Sequence, residues 1–168
     1  MKKKNVFLLM LVLVVAFCMC ACSNKDDKEK ETKVKTNVAV KDIISAIQRD
    51  AKVSDFKKTI DASNLEYVYL DIDMANVDEV SGMYISDDKV DEVTVIKAKS
   101  GKAADIKKAF EKRVEDQKEV SKQYDTAQYE RLNNKSNYTI EALGDYVIIS
   151  ICEDNAAVIK AFEASVTE

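Results

Sequence analysis

A short acidic segment offers the first candidate chemistry in this 168-residue chain. Ca²⁺ takes about six to eight oxygen ligands, many of them from carboxylates. An EF-hand loop is not formed, because Ala75 occupies a ligand position and Asn76 stands where glycine is required. We expect no cofactor, and the segment is alternatively a calcium site or simply a solvated acidic surface. The candidate ligands in "DIDMANVDEV" are Asp71, Asp73, Asp78 and Glu79.

Tyrosine is abundant, with seven residues in the chain, and it is favoured in binding surfaces. Strands and the margins of hydrophobic cores also use tyrosine, so the same positions could instead serve packing. Five of them are candidates for a surface that binds a partner molecule: Tyr67, Tyr69, Tyr84, Tyr124 and Tyr129.

The residue types that are missing exclude several function classes. The chain has no histidine, which removes the commonest general base, the commonest zinc ligand and every Ser/His or Cys/His dyad. Its formal net charge of −4 argues against nucleic-acid binding, because neutralising phosphates needs a basic surface. We therefore expect a non-enzymatic domain. The alternative enzyme would use carboxylates alone, such as a glycan-cleaving pair roughly 5 to 10 Å apart in a shared cleft.

The N-terminal segment has the pattern of a secretory signal peptide. Lys2 to Lys4 form a positive start, and an uninterrupted apolar run follows from residue 6 to residue 17. Even when it is counted as far as Cys22, the run spans roughly 26 Å as a helix, less than the ~30 Å hydrocarbon core of a bilayer. The pattern therefore favours a signal peptide over a transmembrane helix.

The cysteine at the end of this run resembles the lipidated residue of the bacterial lipobox. In that motif an aliphatic residue, a small residue and Ala or Gly precede the cysteine that is exposed by cleavage and then lipidated. Cys22 fits because it follows Ala21, whereas Cys18 and Cys20 follow bulky residues. We expect cleavage before Cys22 and a diacylglyceryl group on its sulfur, since lasting attachment needs two acyl chains. The alternatives are an uncleaved membrane anchor and a plain signal peptide.

These features divide the chain into three predicted segments. Residues 1–21 form the signal peptide, residues 22–37 a lipidated cysteine with a flexible charged tether, and residues 38–168 a single globular domain. The mature protein would lie at the extracytoplasmic face of the cell membrane, attached through Cys22. It would keep one cysteine, Cys152, which we expect to be a small buried hydrophobe within "YVIISIC".

Hydrophobic periodicity predicts the elements of the domain. Helices are expected over residues 38–52, 102–123, 126–132 and 155–166, with the last burying Ala156, Ile159, Phe162 and Val166. Strands are expected over residues 83–86 and 92–98 and as a hairpin of 137–143 and 145–152 that turns at Gly144–Asp145. Residues 65–74 fit both a helix and a strand.

This order of elements predicts an α+β fold. Two hairpins imply a small, mainly antiparallel sheet, and the helices between and around them imply packing against a long helix and the terminal helices. We expect these helices to cover one face of the sheet. About 130 residues suffice for a self-standing hydrophobic core.

The sequence resembles the bacterial lipoproteins that carry the domain of unknown function 4358. The resemblance covers roughly Val77 to Phe162 and is carried by "VDEVTVIKAKSG", a long charged helix, Tyr124 and Tyr129, and "GDYVIISICED". It implies surface lipoproteins, mainly of Gram-positive bacteria, and it implies no activity. The interpretation is therefore an extracytoplasmic domain that binds a protein or cell-envelope partner. A small-molecule or calcium-binding module and a carboxylate-based envelope hydrolase are the alternatives.

Overall fold

A five-stranded antiparallel sheet forms the centre of the protein, in a computed structural model that describes residues 33–168. The strands follow the order β1-β2-β3-β5-β4, so β2, β3 and β5 are flanked on both sides. The strands are β1 (Lys58–Ile60), β2 (Val77–Tyr84), β3 (Glu92–Ala98), β4 (Tyr138–Leu143) and β5 (Tyr146–Ile151). The mixed α+β fold with an antiparallel sheet confirms the predicted fold class.

Five α-helices surround the sheet within the described residues. They are α1 (Val40–Asp50), α2 (Leu65–Val68), α3 (Ala103–Tyr124), α4 (Thr126–Asn133) and α5 (Asn155–Val166). Two short 3₁₀ turns lie at Met74–Asn76 and Lys135–Asn137. None of the helices in residues 33–168 is long and apolar enough to cross a membrane.

The sheet is covered on both faces, and the expectation of a single covered face was wrong. On one face, Val93 and Val95 of β3 belong to a core that also contains residues of α1 and α5. On the other face, Ile96 of β3 packs in a second core with Phe110 of α3 and Leu132 of α4. Side chains alternate between the two faces of a strand, so a strand between two helical layers is apolar at nearly every position.

The segment before β3 differs most from its predicted structure. Residues 65–74 form the single turn of α2, followed by a chain that reaches the 3₁₀ turn at Met74–Asn76. The predicted strand over 83–86 overlaps only the last two residues of the longer β2, which begins at Val77 and ends at Tyr84. Its pairing with β3 requires Gly82, because a Cβ there would lie 2.4 Å from Oγ1 of Thr94. The three-residue β1 was not predicted, since so short a strand has no periodicity of its own.

The elements after β3 lie close to their predicted bounds, but the last helix, α5, buries a face that differs from the predicted one. The β4–β5 hairpin turns at Gly144, whose φ of 58° lies in the left-handed region that glycine adopts readily. In α5, Phe162 and Val166 are buried as predicted, but Val158 is buried in place of the exposed Ala156. Apolar residues occur on most sides of this helix, so its periodicity alone could not select the buried face.

The ordered fold extends to the N-terminal side of the predicted domain boundary at residue 38. Val34 forms a bridge with Thr167, and the Lys35 amide donates to the Val166 carbonyl at 2.8 Å. Val34 is the only aliphatic residue of the predicted tether, and it packs against the core beneath α1 and α5. One apolar side chain thus holds the last residues of that tether on the domain.

Candidate functional site

A charged cleft of about 460 Å³ lies at one end of the sheet. It occupies the space where β2 ends, β3 begins and β5 ends, beside α4 and the loop that follows α1. Clefts of about 300 to 1,000 Å³ are the usual size for small-molecule sites. The residues that line it are Lys52, Asp55, Phe56, Ile85, Lys89, Asp91, Asp125, Ala127, Gln128, Arg131, Cys152 and Glu153.

A two-pronged ion pair joins the sheet to α4 inside this cleft. Arg131 donates from Nη1 to Oδ2 of Asp91 at 2.8 Å and from Nη2 to Oδ1 at 2.7 Å. Asp91 is 8% exposed, so the pair is largely removed from water. The hydrogen bonds to Asp91 raise the pKa of Arg131, which therefore stays charged. Paired N–H···O bonds of this kind fix orientation as well as distance.

Gln128 joins α4 to the β2–β3 loop at the wall of the cleft. Its Oε1 accepts from the Val90 amide at 2.7 Å, and its Nε2 donates to the Asp88 carbonyl at 3.0 Å. Nε2 also donates to Asp125, whose carboxylate caps the N-terminus of α4. These hydrogen bonds hold the pKa of Asp125 below its usual range. The β2–β3 loop and α4 therefore form one wall whose backbone is fixed by side-chain hydrogen bonds.

Cys152 lies at the base of the cleft and is buried, as the sequence predicted. Its Sγ donates to Oδ1 of Asn155 at 3.4 Å, and Ser150 Oγ donates to the same oxygen at 2.6 Å. Burial raises the pKa of the Cys152 thiol, so it remains protonated. A nucleophilic cysteine needs the opposite shift, so this thiol is a packing group.

Four charged side chains of the cleft keep their charges available. Lys52, Asp55 and Lys89 are exposed, as is Glu153. Within residues 33–168, none of the four makes an ion pair of 4.0 Å or less. The cleft therefore presents both signs of charge to anything that enters it.

The carboxylates of the predicted acidic segment do not come together as a cation site. Asp73 accepts from the Ala75 amide at 2.9 Å and so caps a 3₁₀ turn. Asp78 and Glu79 both face Lys97, at 3.5 and 3.9 Å. Glu79 also accepts from the Val40 amide at the start of α1, while Asp71 is exposed. No group of three or more Asp, Glu or Cys side chains arranged for a metal occurs in the part of the chain that the structure describes.

The five candidate tyrosines do not form one surface. Tyr69 is 1% exposed, which corrects its assignment to an interaction surface. Its hydroxyl donates to Oγ1 of Thr94 at 2.8 Å, and its ring packs on Phe110 with a centroid distance of 5.0 Å. Tyr67 on α2 and Tyr124 at the end of α3 are largely exposed. Tyr84 and Tyr129 are half-buried.

No pattern in the sequence predicted that the charged residues of the cleft lie close together. Lys89 and Asp91 precede β3 and Glu153 follows β5, but Lys52 and Arg131 come from two other segments, the loop after α1 and α4. Polar residues directly before and after buried strands were the one usable signal, since they mark the end of a sheet. Cys22 lies outside the described residues.

One known protein family matches the part of the chain that contains the cleft. The model of the family described as "domain of unknown function (DUF4358)" matches residues 49–152, more than half of the chain. The chain belongs to the DUF4358 family. No curated protein and no solved structure matches it. The match contains all five strands of this DUF4358 domain, and it contains every residue that lines the cleft except Glu153. It starts earlier and ends earlier than the resemblance seen in the sequence.

Proposed function

We propose that this DUF4358 protein is a membrane-anchored lipoprotein whose extracytoplasmic domain binds a protein or envelope component through the charged cleft, without catalysis. The signal-like N-terminus and Cys22 after Ala21 support the anchor. The resemblance to surface lipoproteins of Gram-positive bacteria supports the location. The position of the cleft within the domain supports its role in binding.

The chain enters the described domain at the end of the sheet that lies opposite the cleft. Val34 lies beside the β4–β5 turn, where a Cβ on Gly144 would be 3.0 Å from its Cγ1. Cys152 and Glu153, at the other end of β5, line the cleft. The six residues of β5 separate the two ends by roughly 20 Å at ~3.4 Å per residue. Residues 33–35 therefore lie at the end of the sheet opposite the cleft and do not line it, and this observation carries the proposal.

The states of the carboxylates in the cleft support binding over catalysis. A general acid at neutral pH needs a raised pKa. Asp125 has a lowered pKa, and Asp91 is held by Arg131. Burial does raise the pKa of Glu92, but this side chain points away from the cleft towards Arg113 of α3. The carboxylate most suited to holding a proton is therefore sealed inside the core.

The location is tested with a cysteine at the rim of the cleft. Lys89→Cys places a thiol at an exposed position, and intact cells are treated with a membrane-impermeant maleimide. Where an outer membrane is present, spheroplasts are used instead. We expect labelling of the variant and none of the wild-type protein, whose Cys152 is buried. Labelling that appears only after lysis would place the domain in the cytoplasm and end the proposal.

Binding is tested by thermal melting of the full-length protein in detergent with solubilised envelope fragments. A ligand at about 100 times its dissociation constant adds about 2.7 kcal/mol, a shift of a few degrees at this size. We expect a shift for the wild-type protein that disappears in Lys52→Gln/Lys89→Gln. A shift that persists in this variant would place binding elsewhere on the domain.

A further inference from the structure

We propose that the charged cleft recognises a zwitterionic peptide, a short chain that carries a free amino group and a free carboxylate. This inference rests on the proposed binding function and names its ligand class. It is carried by the charges of both signs that the cleft leaves unpaired and by the apolar and rigidly held residues between which they lie.

Both signs of charge line the cleft. The loop after α1 contributes Lys52 and, three residues later, Asp55. Lys89 of the β2–β3 loop and Asp125 at the N-terminus of α4 both line the cleft. Glu153, which follows the end of β5, lines it as well. The cleft is therefore lined by cations and anions that are free to bind a ligand.

Charge complementarity excludes the simpler ligands. An anion without a positive group would approach the unpaired carboxylates of Asp55 and Glu153, and like charges brought together oppose binding. A polycation would meet Lys52 and Lys89 in the same way. A purely apolar ligand would remove these four charges from water without giving them partners, which costs free energy. A ligand with one group of each sign satisfies both kinds of side chain.

The rest of the lining suits a peptide. Phe56, Ile85 and Ala127 supply apolar surface between the charged groups. The Asp91–Arg131 pair and the Gln128 hydrogen bonds hold the walls before any ligand arrives, which lowers the entropic cost of binding. The volume of about 460 Å³ accommodates two or three residues of a peptide rather than a folded protein segment.

The experiment is equilibrium dialysis of the purified full-length protein, in detergent, against libraries of random tripeptides. Four libraries differ only at their ends: free at both termini, acetylated at the N-terminus, amidated at the C-terminus, and blocked at both. Mass spectrometry measures the enrichment of peptides on the protein side. We expect the free library to give peptides that are enriched about tenfold or more over the doubly blocked library, since each charged hydrogen bond contributes that much.

Matched variants show which charged side chains of the cleft bind each terminus of the peptide. Lys52→Gln/Lys89→Gln should abolish the advantage of a free carboxylate and keep that of a free amine. Asp55→Asn/Glu153→Gln should do the reverse. The control, Lys160→Gln/Glu66→Gln, changes exposed residues outside the cleft and should bind as the wild-type protein does.

Two outcomes would overturn the inference. Equal retention of free and blocked tripeptides, or retention of none, shows that the cleft does not read peptide termini. Enrichment of neutral or acidic wall oligosaccharides in a parallel dialysis, with no tripeptide enriched, assigns the cleft to a glycan. Neither outcome depends on where the protein resides, so maleimide labelling of Lys89→Cys can still succeed when this inference fails.

Discussion

Arg113 of α3 donates from Nη2 to Oε2 of Glu92 at 3.2 Å, and the Glu92 side chain is 3% exposed. The pair lies between β3 and the long helix, next to Tyr69, whose ring centre is 5.7 Å from the Arg113 guanidinium. Burial raises the pKa of Glu92, and the charge of Arg113 opposes that shift. The buried Glu92 carboxylate is thus kept compatible with its apolar surroundings by Arg113.

Replacing Arg113 with methionine should destabilise the protein strongly. It leaves Glu92 buried without a partner, which typically costs about 3 to 5 kcal/mol. Arg113→Met/Glu92→Gln should recover part of the loss, because a neutral amide is cheaper to bury than a charge. Urea unfolding of the wild-type protein, both single variants and the double variant measures the coupling. Additive single effects would show that the pair contributes nothing as a pair.

The same variant should lose stability as the pH rises. Without Arg113, burial holds the pKa of Glu92 still further above its unfolded value, so the folded state binds more protons. The free energy of unfolding of Arg113→Met should be closest to the wild-type value below about pH 4.5, the ordinary Glu range, and should fall progressively at higher pH. Arg113→Met/Glu92→Gln is the control and should lack this dependence. A parallel slope in both variants would remove Glu92 as its cause.

Gly82 should not tolerate alanine. Its Cβ would meet Thr94 Oγ1 at 2.4 Å and the Val93 carbonyl oxygen at 3.0 Å, in the middle of the β2–β3 pairing. We expect a loss of about 1 to 3 kcal/mol, as for other overpacked cores. The loss should be smaller in a Thr94→Ala background, where the closest atom is gone. Ser81→Ala, at the adjacent half-buried position, is the control for the strand.

Breaking the ion pair in the cleft should loosen α4. Arg131→Met leaves the Asp91 carboxylate, which is 8% exposed, without its two strongest hydrogen bonds. We expect a loss of about 1 to 3 kcal/mol and faster amide exchange in α4 than in β5. Arg49→Gln removes an arginine from an exposed pair with Asp50 and should change stability very little. Equal losses for the two variants would contradict the structural role of Arg131.

Cys22→Ala should abolish labelling of the protein by a palmitate analogue. The lipid is expected on this sulfur alone, so Cys20→Ala should leave labelling intact. Metabolic labelling followed by in-gel detection compares both variants with the wild-type protein. Labelling that survives in Cys22→Ala would show that the lipobox assignment is wrong, whatever the cleft binds.

Local patterns were sufficient for several elements of this DUF4358 domain. "EVTVIKA" predicted β3 with its observed bounds, and the apolar residues at helical spacing after Gly101 predicted α3 within one residue at each end. Gly144 predicted the β4–β5 turn because a left-handed residue is required there. In each case the decisive interactions lie within a few residues along the chain, so they can be predicted from the sequence.

The tertiary structure alone decided the two covered faces, the burial of Tyr69 and the cleft. β3 pairs with β5 across more than 40 residues, and Arg131 reaches Asp91 from a separation of 40 residues. Periodicity reports only whether a side chain prefers burial. Which buried surfaces meet, and which charges end beside one another, depends on how all the layers pack at once. The sequence by itself therefore determined most of the longer elements and the family, while packing determined the short elements and the site.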